Sequence, residues 1–283
     1  MSHLIDVLSH YEEFDTSCDS FPRIAERNGI LTLHFNDFDV QSRMYKHAPD
    51  ALVLSYTRTM MNALSFNMAP RHIGMIGLGG GSMQKYCYRT YPDAIISVAE
   101  INPEVIALRD HFFIPKDDDR FMVYCEDGAD FVRRQPGHFD VLVVDGFDKK
   151  GQPPQLSSLP FYQDCYRSLT PQGLLIANLC GGHHLVARIR RSFGNQVMFA
   201  DGDAESANTI VVAGKGNILA ASQCADGPEK SRNHPESGEQ QKPSPPDLSV
   251  SRRLTVGSGS MLGSVGRRKL PRPRQVPPVK FSI

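Results

Sequence analysis

Short apolar runs and amphipathic segments alternate along the middle of the chain. Seven of the runs have the length and composition of β-strands, and they occupy residues 72–78, 94–101, 121–127, 139–147, 173–179, 196–201 and 209–215. Segments with helical spacing of apolar residues lie between most of them, at 82–91, 103–112, 128–135, 160–169 and 184–193. The run at 139–147 is nearly all apolar up to Asp145, which is typical of a strand buried on both faces. The alternation predicts an α/β fold of the Rossmann-like, doubly wound type, with a mainly parallel seven-stranded sheet between helices.

Two flanking segments differ from this pattern. Residues 1–48 are predicted to form a small N-terminal β-containing segment, because 29–40 alternates like a strand or hairpin. Residues 49–66 have apolar residues at helical spacing. Residues 220–283 are rich in Pro, Ser and Arg and nearly devoid of aromatic side chains, so we expect a disordered tail. The Rossmann-like domain is therefore predicted at 49–219.

Four successive predicted strands end in residues that suit a ligand site. The first ends in the glycine turn 77–81, and the next three end at Glu100, Asp127 and Asp145. Right-handed crossovers bring the carboxyl ends of parallel strands to one edge of the sheet. Helix capping or solvation would be the simpler explanation for one such carboxylate. Four successive strand ends of this kind favour a binding site.

The glycine turn, "IGLGGGS", points to a nucleotide. It lacks the Gly-Lys-Ser/Thr of a phosphate loop, which argues against hydrolysis of a nucleoside triphosphate. Gly77 and Gly79 fit a tight strand-to-helix turn whose backbone approaches a ligand closely. Glu100 follows about 20 residues later, where an acidic residue binds ribose hydroxyls. These features allow either NAD or an S-adenosyl compound.

The residues at the next two strand ends distinguish between NAD and an S-adenosyl compound. Asp127 and Gly128 can contact an adenine amine and ring, and Asp145 and Asp148 lie three residues apart on a predicted turn. The remaining sheet is too short for a second nucleotide-binding half. A carboxylate that orients an ammonium group and takes its proton frees a lone pair for attack. The pattern therefore favours an S-adenosyl sulfonium and an amine.

The chain resembles the spermidine synthases, the polyamine aminopropyltransferases, over about residues 37–214. The resemblance depends on the order and spacing of "QS" at 41–42, "IGLGGGS", "VAEINPEVI", "CEDGADFV", "FDVLVVDGFD" and "LPFYQDCYRSLTPQGLL". It implies the fold of the class I S-adenosylmethionine-dependent methyltransferases, with decarboxylated S-adenosylmethionine as co-substrate and putrescine as the usual amine. In this family the reaction is aminopropyl transfer in polyamine biosynthesis.

The same resemblance implies a role for individual residues. Gln41 and Glu100 would contact the nucleoside and Asp127 the adenine. Asp145 would be the base, with Asp148 and Tyr56 positioning the amine. Small-molecule amines as partners and a homodimer are also implied.

The chain departs from the family pattern on the amine side. Gly80 replaces an acidic residue of the glycine turn, Arg58 lies near an expected acidic position, and "DGFDKK" lacks the hydroxyl residues and Pro of the usual turn. With fewer acidic residues expected there, the sequence argues less strongly against a ligand that carries a carboxylate, such as intact S-adenosylmethionine. Two alternatives remain open, an S-adenosylmethionine-dependent methyltransferase and a non-catalytic nucleoside-binding homologue.

The composition of the chain indicates which classes of partner and which cellular compartment to expect. Lys+Arg and Asp+Glu both total 31, which gives no electrostatic case for binding nucleic acid. No apolar run reaches about 18 residues, so no membrane span is predicted, and the N-terminus does not resemble a secretory signal. The six cysteines include no C-x-x-C pair, and the histidines lack ligand spacing. We expect a cytoplasmic protein without a metal.

Overall fold

A small antiparallel sheet precedes the main domain. The computed structural model describes residues 21–36, 40–67, 69–180, 183–201, 208–219 and 281. The small sheet contains, in order, β1 (Arg23–Arg27), β2 (Ile30–His34) and β3 (Val40–Tyr45). Asn28 and Gly29 join the first two strands and both have positive φ, 51° and 74°. This Asn-Gly pair gives the two-residue turn whose twist matches that of the strands.

The main sheet has seven strands, as predicted. They are β4 (His72–Ile76), β5 (Ile95–Glu100), β6 (Phe121–Cys125), β7 (Phe139–Val144), β8 (Leu169–Cys180), β9 (Val197–Asp201) and β10 (Asn208–Gly214). Their order is β6-β5-β4-β7-β8-β10-β9, and β10 runs in the direction opposite to the other six strands. The strand order reverses between β4 and β7. In open α/β sheets, ligands bind at this reversal, beyond the carboxyl ends of the strands.

Helices cover both faces of this sheet. They are α1 (Ser55–Asn62), α2 (Ser82–Thr90), α3 (Pro103–Ala107), α4 (Gly128–Arg133), α5 (Leu159–Ser168) and α6 (His183–Phe193), with short 3-10 helices at Ala63–Phe66 and Pro154–Ser157. Strand β7 shows how the core divides. Val141 and Val143 pack in one buried cluster with Met60, whereas Leu142 and Val144 pack in a second with Phe161. The predicted doubly wound α/β class is confirmed.

Three predicted elements differ most in their bounds. The helix expected at 103–112 ends at Ala107, and the helical pattern at 49–66 becomes a helix only at Ser55. The non-helical backbone before Ser55 contacts α1 through Arg58, which donates two hydrogen bonds, to the carbonyls of Leu52 (2.9 Å) and Val53 (2.7 Å). The strand expected at 173–179 begins earlier, at Leu169, with a shift of register against β7.

A buried lysine joins α2 to the segment that follows α3. Lys85 is 3 % exposed, and its Nζ donates to the carbonyl of Phe112 at 2.6 Å and lies 3.1 Å from Met44 Sδ. Burial lowers the pKa of this amine to about 8, against the opposing attraction of Asp50. The contact fixes Phe112 beside the glycine turn that precedes α2.

The predicted tail at 220–283 lies outside the described residues except for Phe281. The ring of Phe281 packs edge-on against Phe66, with 6.0 Å between ring centroids. The three predicted segment boundaries remain predictions. No helix in the described part of the chain is long and apolar enough to cross a membrane.

Candidate active site

A cavity of about 200 Å³ lies at the reversal of strand order, beyond the carboxyl ends of β4, β5 and β7. All nine site residues predicted from the sequence line it, namely Gln41, Tyr56, Gly77, Gly79, Glu100, Asp127, Gly128, Asp145 and Asp148. They come from six separate regions of the chain. The structure therefore brings the predicted set together, and the chemical role of each residue remains a prediction.

The glycine turn is locked against the end of β7. Gly77 has φ +92°, and a Cβ atom at this position would lie 2.3 Å from the backbone oxygen of Asp145. Gln84 Nε2 donates to the carbonyl of Gly77 at 2.7 Å from the first turn of α2. Gln84 lines the cavity and is 2 % exposed, yet the sequence analysis did not identify it. A polar residue on the buried side of α2 was the available signal.

The middle of the turn has no room for a side chain. The amide of Gly80 donates to Ser42 Oγ at 2.8 Å. A Cβ on Gly80 would lie 2.9 Å from both Phe112 Cδ1 and Ser42 Cβ. Ser42 and Phe112 therefore pack so closely against Gly80 that the acidic side chain of the family pattern would not fit at this position without a shift of its neighbours.

The basic residue at the cavity is not the one that the sequence suggested. Arg58 is absent from the lining, because its guanidinium binds the carbonyls before α1. Arg43, an exposed residue on β3, lines the cavity instead. The reasoning that placed Arg58 beside the ligand is therefore not supported by the geometry.

The two carboxylates predicted to hold the nucleoside also stabilise the local backbone. Glu100 accepts hydrogen bonds from the amides of Leu78 and Asn102, both at 2.9 Å, and its burial raises the pKa of the carboxyl group against these bonds. Asp127 caps α4 by accepting from the amide of Ala129 at 2.7 Å. A carboxylate oxygen can accept more than one hydrogen bond, so neither role excludes a ligand.

Asp145 lies where three elements meet. Its Oδ2 accepts from the hydroxyl of Tyr56 on α1 at 3.3 Å, and its Oδ1 accepts from Nδ2 of Asn178 on β8 at 2.8 Å. Desolvation raises the pKa of Asp145 to about 6, although both hydrogen bonds favour the ionised form. Burial and the nearby carboxylate raise the pKa of Tyr56 well above 10. A carboxylate with this pKa can accept a proton near neutral pH.

Asp148 lies on a tight turn three residues further on. Its backbone forms hydrogen bonds in both directions with Gly151, and its Oδ1 accepts from the amide of Lys150 at 2.7 Å. The residue is exposed and lines the cavity, as does Phe147. The contact of Asp148 with an amine stays a prediction.

The described residues contain no group of three or more His, Cys, Asp or Glu side chains that could hold a metal ion. The side chains that line the cavity carry an excess of negative charge. Four carboxylates line it, from Glu100, Asp127, Asp145 and Asp148, against the single guanidinium of Arg43. This balance favours a cationic ligand.

Comparisons with known proteins agree with this geometry. The spermine/spermidine synthase domain model matches residues 53–188. A polyamine aminopropyltransferase of Neisseria meningitidis serogroup A is 34% identical over 210 residues, which cover 71% of this chain and 79% of the relative. The chain belongs to the spermine/spermidine synthase family. The predicted family is thus confirmed, and the predicted enzyme class, a transferase, agrees with it.

Further relatives differ in how much they share. A polyamine aminopropyltransferase of Chromobacterium violaceum is 41% identical over 160 residues, or 56% of this chain, and the match spans only 61% of that relative's length. A probable spermidine synthase from Corynebacterium glutamicum has a TM-score of 0.60 at 20% identity, covering 68% of this chain and 76% of that one. Human methyltransferase-like protein 13, in complex with SAH, has a TM-score of 0.54 at 20% identity. The match covers 63% of this chain and 96% of that one. The two structures show the shared fold.

Proposed function

We propose that this member of the family transfers an aminopropyl group from decarboxylated S-adenosylmethionine to an amine such as putrescine. The observation that carries the proposal is the carboxylate of Asp145, which lies between Tyr56 and Asn178 with a pKa of about 6. A base of this strength at the cavity suits removal of a proton from an amine.

The nucleoside end of the cavity fits an adenosine. Gly77 and Gly79 have no side chains to keep a ligand from the backbone, and Glu100 has acceptor capacity for ribose hydroxyls. The free capacity of Asp127 suits the exocyclic amine of adenine. Gln41 lines the same cavity from β3 and is assigned to the nucleoside as well.

At the amine end of the cavity, the protein aligns the amine with the sulfonium and removes a proton from it. A substrate ammonium gives one proton to Asp145, and the freed lone pair attacks the carbon next to the sulfonium sulfur. That carbon–sulfur bond breaks, its electron pair stays on sulfur, and methylthioadenosine leaves. The sulfonium supplies the activation, so the protein must mainly hold the two reactants in line. Tyr56 and Asp148 are assigned to positioning the amine.

The charge of the cavity predicts which S-adenosyl compound binds better. Since the lining has four carboxylates and one guanidinium, the extra carboxylate of intact S-adenosylmethionine is unfavourable. In separate calorimetric titrations, decarboxylated S-adenosylmethionine should bind at least about ten-fold more tightly, a difference of about 1.4 kcal/mol. The variant Arg43→Gln should widen the preference because it removes the one cationic side chain. Tighter binding of intact S-adenosylmethionine would contradict the proposal and support methyl transfer.

The remaining assignments follow from the proposed reaction. We propose a small-molecule amine as the partner, no role for nucleic acid, a homodimer, and a cytoplasmic location. The chemistry needs no metal, since the leaving group is already activated by its positive charge.

A further inference from the structure

We propose that Asn178 is a positioning residue, which holds the carboxylate of Asp145 ionised and in a single orientation towards the cavity. The inference rests on the proposed function only for the role that it gives to Asp145 as the base. The contact itself joins two described side chains and can be tested without turnover.

The position of Asn178 is unusual for an amide. The residue lies in the apolar run "LLIANL" of β8 and is 3 % exposed. The parallel pairing of Val144 with Ala177 places Asn178 beside Asp145, one residue beyond the last paired position. A buried amide destabilises the fold unless it forms hydrogen bonds. The bond to Asp145, at 2.8 Å, is the contact that this side chain makes.

The two carboxylate oxygens of Asp145 have separate donors. Asn178 holds Oδ1 from one side and Tyr56 holds Oδ2 from the other, so rotation of the carboxylate would break both bonds. The bond from Asn178 is the shorter of the two, at 2.8 Å against 3.3 Å. Asn178 is therefore the stronger constraint on the direction of the base.

The amide can serve both protonation states of Asp145. While Asp145 is ionised, only Nδ2 can face it, since two acceptor oxygens would repel each other. Asn178 Oδ1 is buried and has no hydrogen-bond partner in the described part of the chain. After Asp145 takes a proton, a half-turn of the amide lets Oδ1 accept from the new carboxyl hydroxyl. A leucine could serve neither state.

Other charged groups share the cavity and bear on its titration. Tyr56 contacts Asp145 directly, and the cavity is also lined by Glu100, Asp127, Asp148 and Arg43. The pKa of Asp145 is raised by desolvation and lowered by Asn178 and Tyr56, in that order. Asn178 does not titrate itself. Removing its amide should therefore raise the pKa of Asp145 without adding another titrating group.

The test is a direct titration of Asp145 by NMR on full-length protein labelled with ¹³C at the aspartate carboxyl carbons. The missing signal of Asp145→Asn identifies the resonance. In wild type it should titrate near pH 6. In Asn178→Leu, which nearly keeps the volume but loses the donor, the midpoint should rise by about one pH unit. The acid limb of kcat/KM should move by the same amount.

Two further variants make the result decisive. Asn178→Ala should give the same rise if the leucine variant fails to fold. Thr209→Val removes a buried polar group on neighbouring β10 without touching Asp145 and should leave the midpoint in place. An unchanged midpoint in a folded Asn178 variant would overturn the proposal. If the wild type has no aminopropyltransferase activity, the NMR titration still decides the role of Asn178, so the two failures are distinguishable.

Discussion

Replacing Asp145 with Asn is expected to lower turnover by about 10³-fold, within the range that general bases contribute. Asn has the same shape and can still bind Tyr56 and Asn178, but it cannot take the proton of the amine. Affinity for the nucleoside should stay within a few-fold of wild type, because Glu100 and Asp127 are unchanged. Steady-state kinetics with putrescine and calorimetry with the nucleoside would measure the two effects.

The same substitution should raise stability. The pKa of Asp145 rises from 3.8 to about 6 on folding, so the folded state binds the proton more tightly. Ionisation of this group therefore reduces stability as pH rises from about 4 through 6. At pH 7 the shift corresponds to as much as about 3 kcal/mol, part of which the neutral Asn recovers.

A surface variant is the control for Asp145→Asn. Asp130 forms an ion pair with Arg133 in which both side chains are 60% exposed, and such pairs contribute little. Asp130→Asn should change neither turnover nor thermal stability appreciably. Near-normal turnover of Asp145→Asn would refute the base assignment.

Gly77→Ala should destabilise the fold by about 3 kcal/mol and abolish detectable nucleoside binding. A side chain at φ +92° is strained, and its Cβ would lie 2.3 Å from the backbone oxygen of Asp145. The turn and the end of β7 must separate to relieve the contact, which displaces two walls of the cavity. Denaturant unfolding monitored by circular dichroism gives the change in free energy, and calorimetry gives the loss of binding.

Gly137→Ala separates backbone strain from the close approach. Gly137 also has a left-handed φ, +66°, but nothing lies within 4 Å of a Cβ placed there. Its replacement should cost about 1 kcal/mol and leave nucleoside binding intact. Equal losses of stability and of nucleoside binding in the two variants would show that the close approach of Gly77 to Asp145 does not add to the effect of backbone strain.

The sequence predicted the sheet and its ligand edge because both follow from local patterns. The run at 139–147 is nearly all apolar up to Asp145, and the chain direction then brings Glu100, Asp127 and Asp145 to one edge. Strand β1 was missed because its charged residues, Arg23, Glu26 and Arg27, conceal the alternation. Periodicity identifies strands with a buried face and fails for an exposed edge strand.

Partners of the site residues were harder to predict. Asn178 and Gln84 were missed because their contacts with Asp145 and Gly77 join positions distant in sequence or on opposite sides of a turn. Arg58 was expected near the amine side of the site from its place in a motif, yet its guanidinium binds the backbone before α1. A motif indicates a position along the chain but not the direction of a long side chain.

Product analysis of the purified full-length chain is the most direct measurement of the proposed reaction. The protein would be incubated with decarboxylated S-adenosylmethionine and putrescine, and in parallel with intact S-adenosylmethionine, and all products quantified by mass spectrometry. We predict equimolar methylthioadenosine and spermidine from the first mixture and no methylated amine from the second. Methylated product with S-adenosylhomocysteine, or no product from protein that binds the decarboxylated nucleoside, would contradict aminopropyl transfer to putrescine.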